Sequence, residues 1–131
     1  MKKLLILIAL GCLVLPAQNP HKIDFTQSLT GMDGKPMPSN DPKSPTVTLG
    51  DVAIMALEAL LEEDKGMTGA DKFKNDELAR KVYKAKAATL SVEDIALIKM
   101  RIGKVYGPSV VGAAWRLLDP STASPDAAKT K

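Results

Sequence analysis

Hydrophobic and polar positions divide the chain into a continuous apolar run, one alternating segment and four stretches with a helical period. Leu4 to Leu15 is uncharged and apolar throughout. Further on, Ile23, Phe25, Gln27 and Leu29 fall on one side at period two, and Asp33-Gly34 follows as a two-residue turn in which both positions tolerate positive φ. This predicts a short β-hairpin within residues 22–37. Between Pro36 and Pro45, four prolines accompany Ser39, Asn40, Asp41 and Ser44. Such a composition removes backbone donors and opposes both helix and sheet, so it predicts a surface connection.

Four helices are predicted from there on. Thr48 caps the first, with Asp51 three residues later placing negative charge near the positive helix end. From Val52 to Leu61 only Glu58 carries a charge, so this helix should occupy the centre of the domain and stop around residues 62–66. Thr68 and Asp71 open a second helix, in which Phe73, Leu78, Ala79, Val82 and Ala85 form the apolar stripe opposite a row of lysines. Ser91 opens the third, with Glu93 and Asp94 in its first turn and Ile95, Ile98, Ile102 and Val105 on one face. Gly107-Pro108 then sets a boundary before a fourth helix from Pro108 to about Leu118, with Val110, Val111, Ala114, Leu117 and Leu118 facing inward. Gly107 is expected to take the left-handed closing conformation, where Gly107→Val would cost about 1 kcal/mol or more. The fold class is therefore mainly α: a small helical domain of about four helices with a short N-terminal β-hairpin.

The apolar run at the N-terminus holds twelve residues, whereas a membrane-spanning helix needs about 20. Lys2 and Lys3 precede it and Pro16-Ala17 follow it, the layout of a secretory signal with a cleavage site after a small residue. Ordinary secretion is the favoured route. Cys12, behind Gly11, is the candidate lipidation site of a competing lipoprotein route, but Leu13, Val14 and Leu15 continue the apolar core where a lipoprotein turns polar. Cleavage after Ala17 divides the chain into a signal peptide (1–17), a flexible start (18–21), hairpin and Pro-rich connection (22–45), a helical domain (46–119) and a disordered, Pro-containing tail (120–131). Cys12 is the only cysteine, so no disulfide forms within the chain.

Charge changes this picture little. Removing 17 of 131 residues leaves 114, enough for one modest core, and losing Lys2 and Lys3 reduces 18 basic residues to 16 against 15 acidic, a net charge of +1. The lysines between Lys65 and Lys86 are interleaved with Asp71, Asp76 and Glu77 as on a solvated helix face, which argues against nucleic acid as a partner. The turn between helices three and four permits a helix-turn-helix, but the fourth helix offers only Arg116 as a cation.

Candidate chemistry is sparse. His21 is the sole histidine, which excludes a histidine-based triad and a multi-histidine metal site. Glu62, Glu63 and Asp64, like Glu93 and Asp94, are explained by their places at helix ends. Residues 64–75 have Gly69 at the sixth place of a calcium loop, but Gly66 and Thr68 replace acidic ligands and Asn75 stands where a bidentate glutamate is needed. No metal, cofactor or enzymatic activity is expected. Tyr83, Tyr106 and Trp115 lie in or at the end of amphipathic helices, where partial burial with an outward polar atom accounts for them first; as contact residues, Tyr106 and Trp115 are the candidates.

Ile23-Asp24-Phe25-Thr26-Gln27, Asp33-Gly34-Lys35-Pro36, Thr48-Leu49-Gly50-Asp51-Val52-Ala53, the stretch from Leu90 to Lys99 and Val105-Tyr106-Gly107-Pro108-Ser109-Val110-Val111-Gly112 form a connected set. Over Lys22 to about Leu118, the chain resembles a group of small phage and prophage proteins. The resemblance implies a phage-related origin and brings no activity, cofactor or site residue with it. Members of that group begin near the position of Lys22, so the leader is a departure from their pattern. The expected function is an exported interaction module acting in the periplasm or at the envelope on a protein partner or on itself, touching membrane only through its leader or a lipid on Cys12. The alternative is an intracellular phage accessory or assembly factor whose leader is not used. The mature protein is expected to begin at Gln18. Intact-mass measurement checks this: a lipid-modified N-terminal Cys12 would select the lipoprotein route, and a product retaining Met1 would reject export.

Overall fold

The computed structural model describes residues 21–119; the leader with Cys12 and Gln18, and the C-terminal stretch 120–131, lie outside the described residues. Four helices follow one another as α1 (Leu49–Glu58), α2 (Gly69–Lys84), α3 (Val92–Val105) and α4 (Pro108–Leu118), with a 3-10 turn at Glu62–Gly66 between the first two. The domain is small and mainly α.

Helix starts follow the capping chemistry of the sequence. At α1 the Asp51 N–H donates to Thr48 Oγ1 at 3.2 Å while Asp51 Oδ2 accepts the Thr48 N–H at 3.0 Å, a reciprocal capping box. Thr68 accepts from the Asp71 N–H at α2, and Ser91 from the Asp94 N–H at α3, each at 3.1 Å. Proline occupies the first turn of α4 as expected, but Gly107 has φ −77° and ψ 171°. That is extended backbone open to any residue, and nothing lies within 4 Å of a Cβ placed there. The left-handed penalty expected for Gly107→Val therefore does not apply.

Strand pairing differs from the predicted hairpin. β1 (His21–Asp24) pairs antiparallel with β4 (Ala87–Leu90), which lies between α2 and α3, in the register His21↔Leu90 to Asp24↔Ala87. His21 is thus the first residue of a strand, not part of a flexible start. Ile23 faces the core with Ala88 and Leu90, preserving the period-two alternation with a partner distant in sequence. The Asp33-Gly34 turn does form, with Gly34 at φ +76° and its N–H donating to the Gly31 carbonyl at 3.0 Å; the Gly31 N–H to the Lys35 carbonyl and the Met37 N–H to the Leu29 carbonyl, both at 2.8 Å, close it around the single bridge Thr30↔Pro36. The hairpin preceding the helices is β2 (Pro38–Asp41) with β3 (Ser44–Thr46), inside the stretch expected to be irregular. A two-stranded sheet consists of edges alone, so the donors missing at Pro38 and Pro45 cost it little.

Buried side chains from every helix and from β1 and β4 make one core, with Leu29, Leu49, Ala53, Leu90, Ile98 and Ile102 fully enclosed. Phe73 departs from its predicted place in the buried stripe of α2: it is 66% exposed, while Asn75 is buried beside Leu78, Ala79 and Val82. α1 ends at Glu58, earlier than expected, and a cation from another helix completes its end. Arg101 of α3, only 1% exposed, donates from Nε to the Ala56 carbonyl at 3.1 Å and from Nη2 to the Ala59 carbonyl at 2.5 Å. Its Nη1 lies 2.9 Å from both oxygens of buried Asp64. The guanidinium thereby satisfies carbonyls that α1 leaves free at its C-terminus, where α1 carries no basic residue of its own.

Asp64 Oδ2 also accepts the Leu61 N–H at 2.9 Å. This hydrogen bond, then Arg101 and Lys104, hold the carboxyl below its ordinary value of 3.8 against the opposing effect of burial. Because the folded value is lower than the unfolded one, the resulting stability is complete above the unfolded value and is lost as pH falls through the folded one. Arg101→Met should cost about 3 kcal/mol, since it leaves a carboxylate and helix carbonyls without their partner. Urea titration measures this loss, and titrations repeated below about pH 4 should show a weaker acid dependence in Asp64→Asn than in the wild type.

Candidate functional site

α1 and α2 run antiparallel, and the hairpin β2–β3 stands beside the start of α1. Between them is a groove of about 470 Å³ walled by Ser39, Asp41 and Ser44 of the hairpin and by Tyr83 of α2, with Val47, Ile54 and Met55 as its apolar lining and Asp51 at its edge. A second depression of about 220 Å³ shares Asp51, Ile54 and Tyr83 and extends to Phe25, Thr26 and Lys86. Tyr83 thus borders both. It is 80% exposed and Met55 is 62% exposed, although both belong to helices that pack against each other.

This exposure follows from helix geometry. On α2, Leu78, Ala79 and Val82 point to the core, whereas Phe73, Asp76, Arg80 and Tyr83 recur at spacings of three and four and make a second face. On α1 the outward positions are Asp51, Met55 and Glu58, with Ile54 half-buried beside them. Glu58 reaches toward Asp76, whose Oδ2 accepts the Arg80 Nε–H at 2.7 Å. Arg80 first, then Glu58, favour the ionised Asp76 carboxyl, whose pKa falls below its ordinary value. The outer wall therefore has an apolar end at Met55 and Tyr83, a charged middle, and a second apolar end where Leu60 is 72% exposed.

The two aromatic residues singled out from the sequence lie elsewhere and are held by different partners. Tyr106 closes α3 and packs half-buried against the core; burial first, and the Asp51 charge second, raise its phenol above the ordinary 10.0. Trp115, on α4, donates its indole N–H to the Lys99 carbonyl at 3.1 Å, with Lys99 Nζ 4.7 Å from the ring centroid. Trp115 keeps 38% of its surface exposed on that side of the domain. Cys12, the candidate lipidation site, lies outside the described residues. Sequence reasoning missed Met55 as a surface residue because α1 reads as apolar on nearly every side. It noted Tyr83 but did not see the stripe joining it to Phe73 and Arg80, whose spacing was present in the sequence.

Other features offer less. An open depression of about 580 Å³ lies where Gly31 and Met32 approach Pro108, Ser109 and Arg116. Asp64, first residue of the calcium-like stretch, has its oxygens committed to Arg101 and to the Leu61 N–H. Among the described residues, no three histidine, cysteine or acidic side chains are grouped to hold a metal, and no helix is long and apolar enough to cross a membrane. The fold and this surface define a small mainly-α domain with an amphipathic outer wall on its first two helices. Comparison with protein-family models, curated proteins and solved structures returns no match.

The tyrosines should separate by environment. Tyr83→Ala should leave stability within about 0.5 kcal/mol of the wild type, as expected for an exposed side chain. Tyr106→Ala should cost about 2 kcal/mol by removing part of the packed core. Thermal melts followed by circular dichroism measure both.

Proposed function

We propose that this protein is an exported interaction module of phage-related origin that acts by protein contact in the periplasm or at the envelope, without catalysis or a cofactor. The observation that carries the contact reading is the outer wall of α1 and α2, where Met55 and Tyr83 stand exposed beside an apolar groove. Large side chains left in water next to concave apolar surface gain free energy when a partner covers them. Tyrosine and methionine suit such a role, since a phenol ring offers apolar area with a polar tip and a thioether adapts to an uneven surface. Export is supported by Lys2 and Lys3, the apolar run Leu4 to Leu15, and Pro16-Ala17 after it. The phage-related origin rests on the resemblance over residues 22–118.

Cell fractionation of the full chain, with capture from envelope extracts, tests this reading. The protein should appear outside the cytoplasm, and it should retain a discrete envelope protein or a second copy of itself. Tyr83→Ala should abolish that contact with the fold intact, while a chelator should not affect it. Retention in the cytoplasm would support the intracellular accessory factor instead. Contact unaffected by Tyr83→Ala, or an activity lost on chelation and restored by a metal, would overturn the proposal.

A further inference from the structure

We infer that the occupant of the α1–α2 wall is a second copy of this chain, docked so that α1 of each copy lies over α2 of the other. This deepens the contact reading above and rests on it. The argument starts from charge. α1 contains Asp51 and Glu58 and no basic residue, a net charge of −2. α2 contains Lys72, Lys74, Arg80, Lys81 and Lys84 against Asp71, Asp76 and Glu77, a net charge of +2. Of these, the wall carries Asp51 and Glu58 on α1, and on α2 Arg80, its partner Asp76, and Lys72, which stands beside Glu58 and Asp76, so the α1 side is acidic and the α2 side has a net charge of +1.

A two-fold axis running along the helix pair exchanges them across the interface. The acidic helix then meets the basic helix of its partner at both contacts, as an isologous interface requires. The same operation keeps position along the pair unchanged. The exposed Met55 and Tyr83 therefore meet their counterparts at one end, while Glu58 approaches the partner's Arg80 in the middle. An axis across the helices would instead set acidic α1 on acidic α1, where like charges oppose association. The apolar ends supply attraction, and the charges select this arrangement over the other.

Glu58 and Arg80 are both exposed, so reversing either leaves the core untouched, and the Asp76–Arg80 pair is a surface pair of small weight. Analytical ultracentrifugation of the processed full-length product, with circular dichroism confirming the fold, reads the outcome. The wild type should dimerise in the micromolar range, and Glu58→Lys and Arg80→Glu should each weaken dimerisation about tenfold or more, because each sets like charges together at both contacts. An equimolar mixture of the two variants should recover the dimer, since every contact then joins opposite charges. Met55→Glu, away from the ion pair, should weaken it independently. A monomeric wild type, single variants that dimerise as tightly as the wild type, or a mixture that stays monomeric would overturn the inference. If the monomeric wild type still captures an envelope protein through Tyr83, self-association fails while the contact reading stands; if neither association is seen, both fail.

Discussion

The rest of the domain depends on one buried cation. Arg101 belongs to α3, yet its guanidinium ends α1, anchors the 3-10 turn through Asp64 and fixes the distance between the two helices. A planar group with five donors in a fixed fork suits this arrangement, because helix carbonyls and a carboxylate can be served at once from different edges. An uncompensated charge in that position would be costly, so Arg101 and Asp64 make sense only together. Their pairing also explains why α1 stops at Glu58: the following residues turn away to bring Asp64 to the guanidinium.

A second constraint ties the start of the described chain to its middle. β1 lies against β4, so the first described residues are hydrogen-bonded to the segment joining α2 and α3. Farther along, Gln27 accepts the Leu49 N–H and Phe25 accepts the Gly50 N–H, both at the start of α1. Gly50 permits this approach: a Cβ there would stand 3.0 Å from the Phe25 carbonyl oxygen. The N-terminal segment is therefore a strap that passes from β4 to the cap of α1, and its apolar residues Ile23, Phe25 and Leu29 close the core.

With the inner faces of α1 and α2 held by these two devices, their outer faces have no covering element within the described residues apart from the β2–β3 hairpin at one edge. That hairpin makes the groove concave and places Asp41 near Asp51. Tyr106 and Trp115 are held differently, one by burial beside α1 and the other by the Lys99 carbonyl. An aromatic ring secured on its own domain differs in consequence from one left standing in water, and only Tyr83 and Phe73 among the aromatics are left predominantly so.

The sequence by itself determined what depends on neighbours along the chain. Thr48, Thr68 and Ser91 cap their helices through donors three residues away, Pro108 opens α4, and Gly34 turns with positive φ, since each of these interactions closes within a few residues. Helical periodicity likewise marked Leu78, Val82, Ile95, Ile98 and Ile102 as core. Tertiary structure decided what depends on distant partners. The alternation around Ile23 specified a strand but not which segment would pair with it, because period two fixes the face a side chain takes and not the strand beside it. The burial of Arg101 depends on the end of α1 and Asp64 coming together around it, which no local pattern in the sequence marks. Phe73 and Met55 read as core because hydrophobicity alone does not say which side of a helix remains uncovered. Local hydrogen bonds are written in adjacent residues, whereas pairing, burial of charge and exposure of apolar surface are settled only when separate elements compete for the same space.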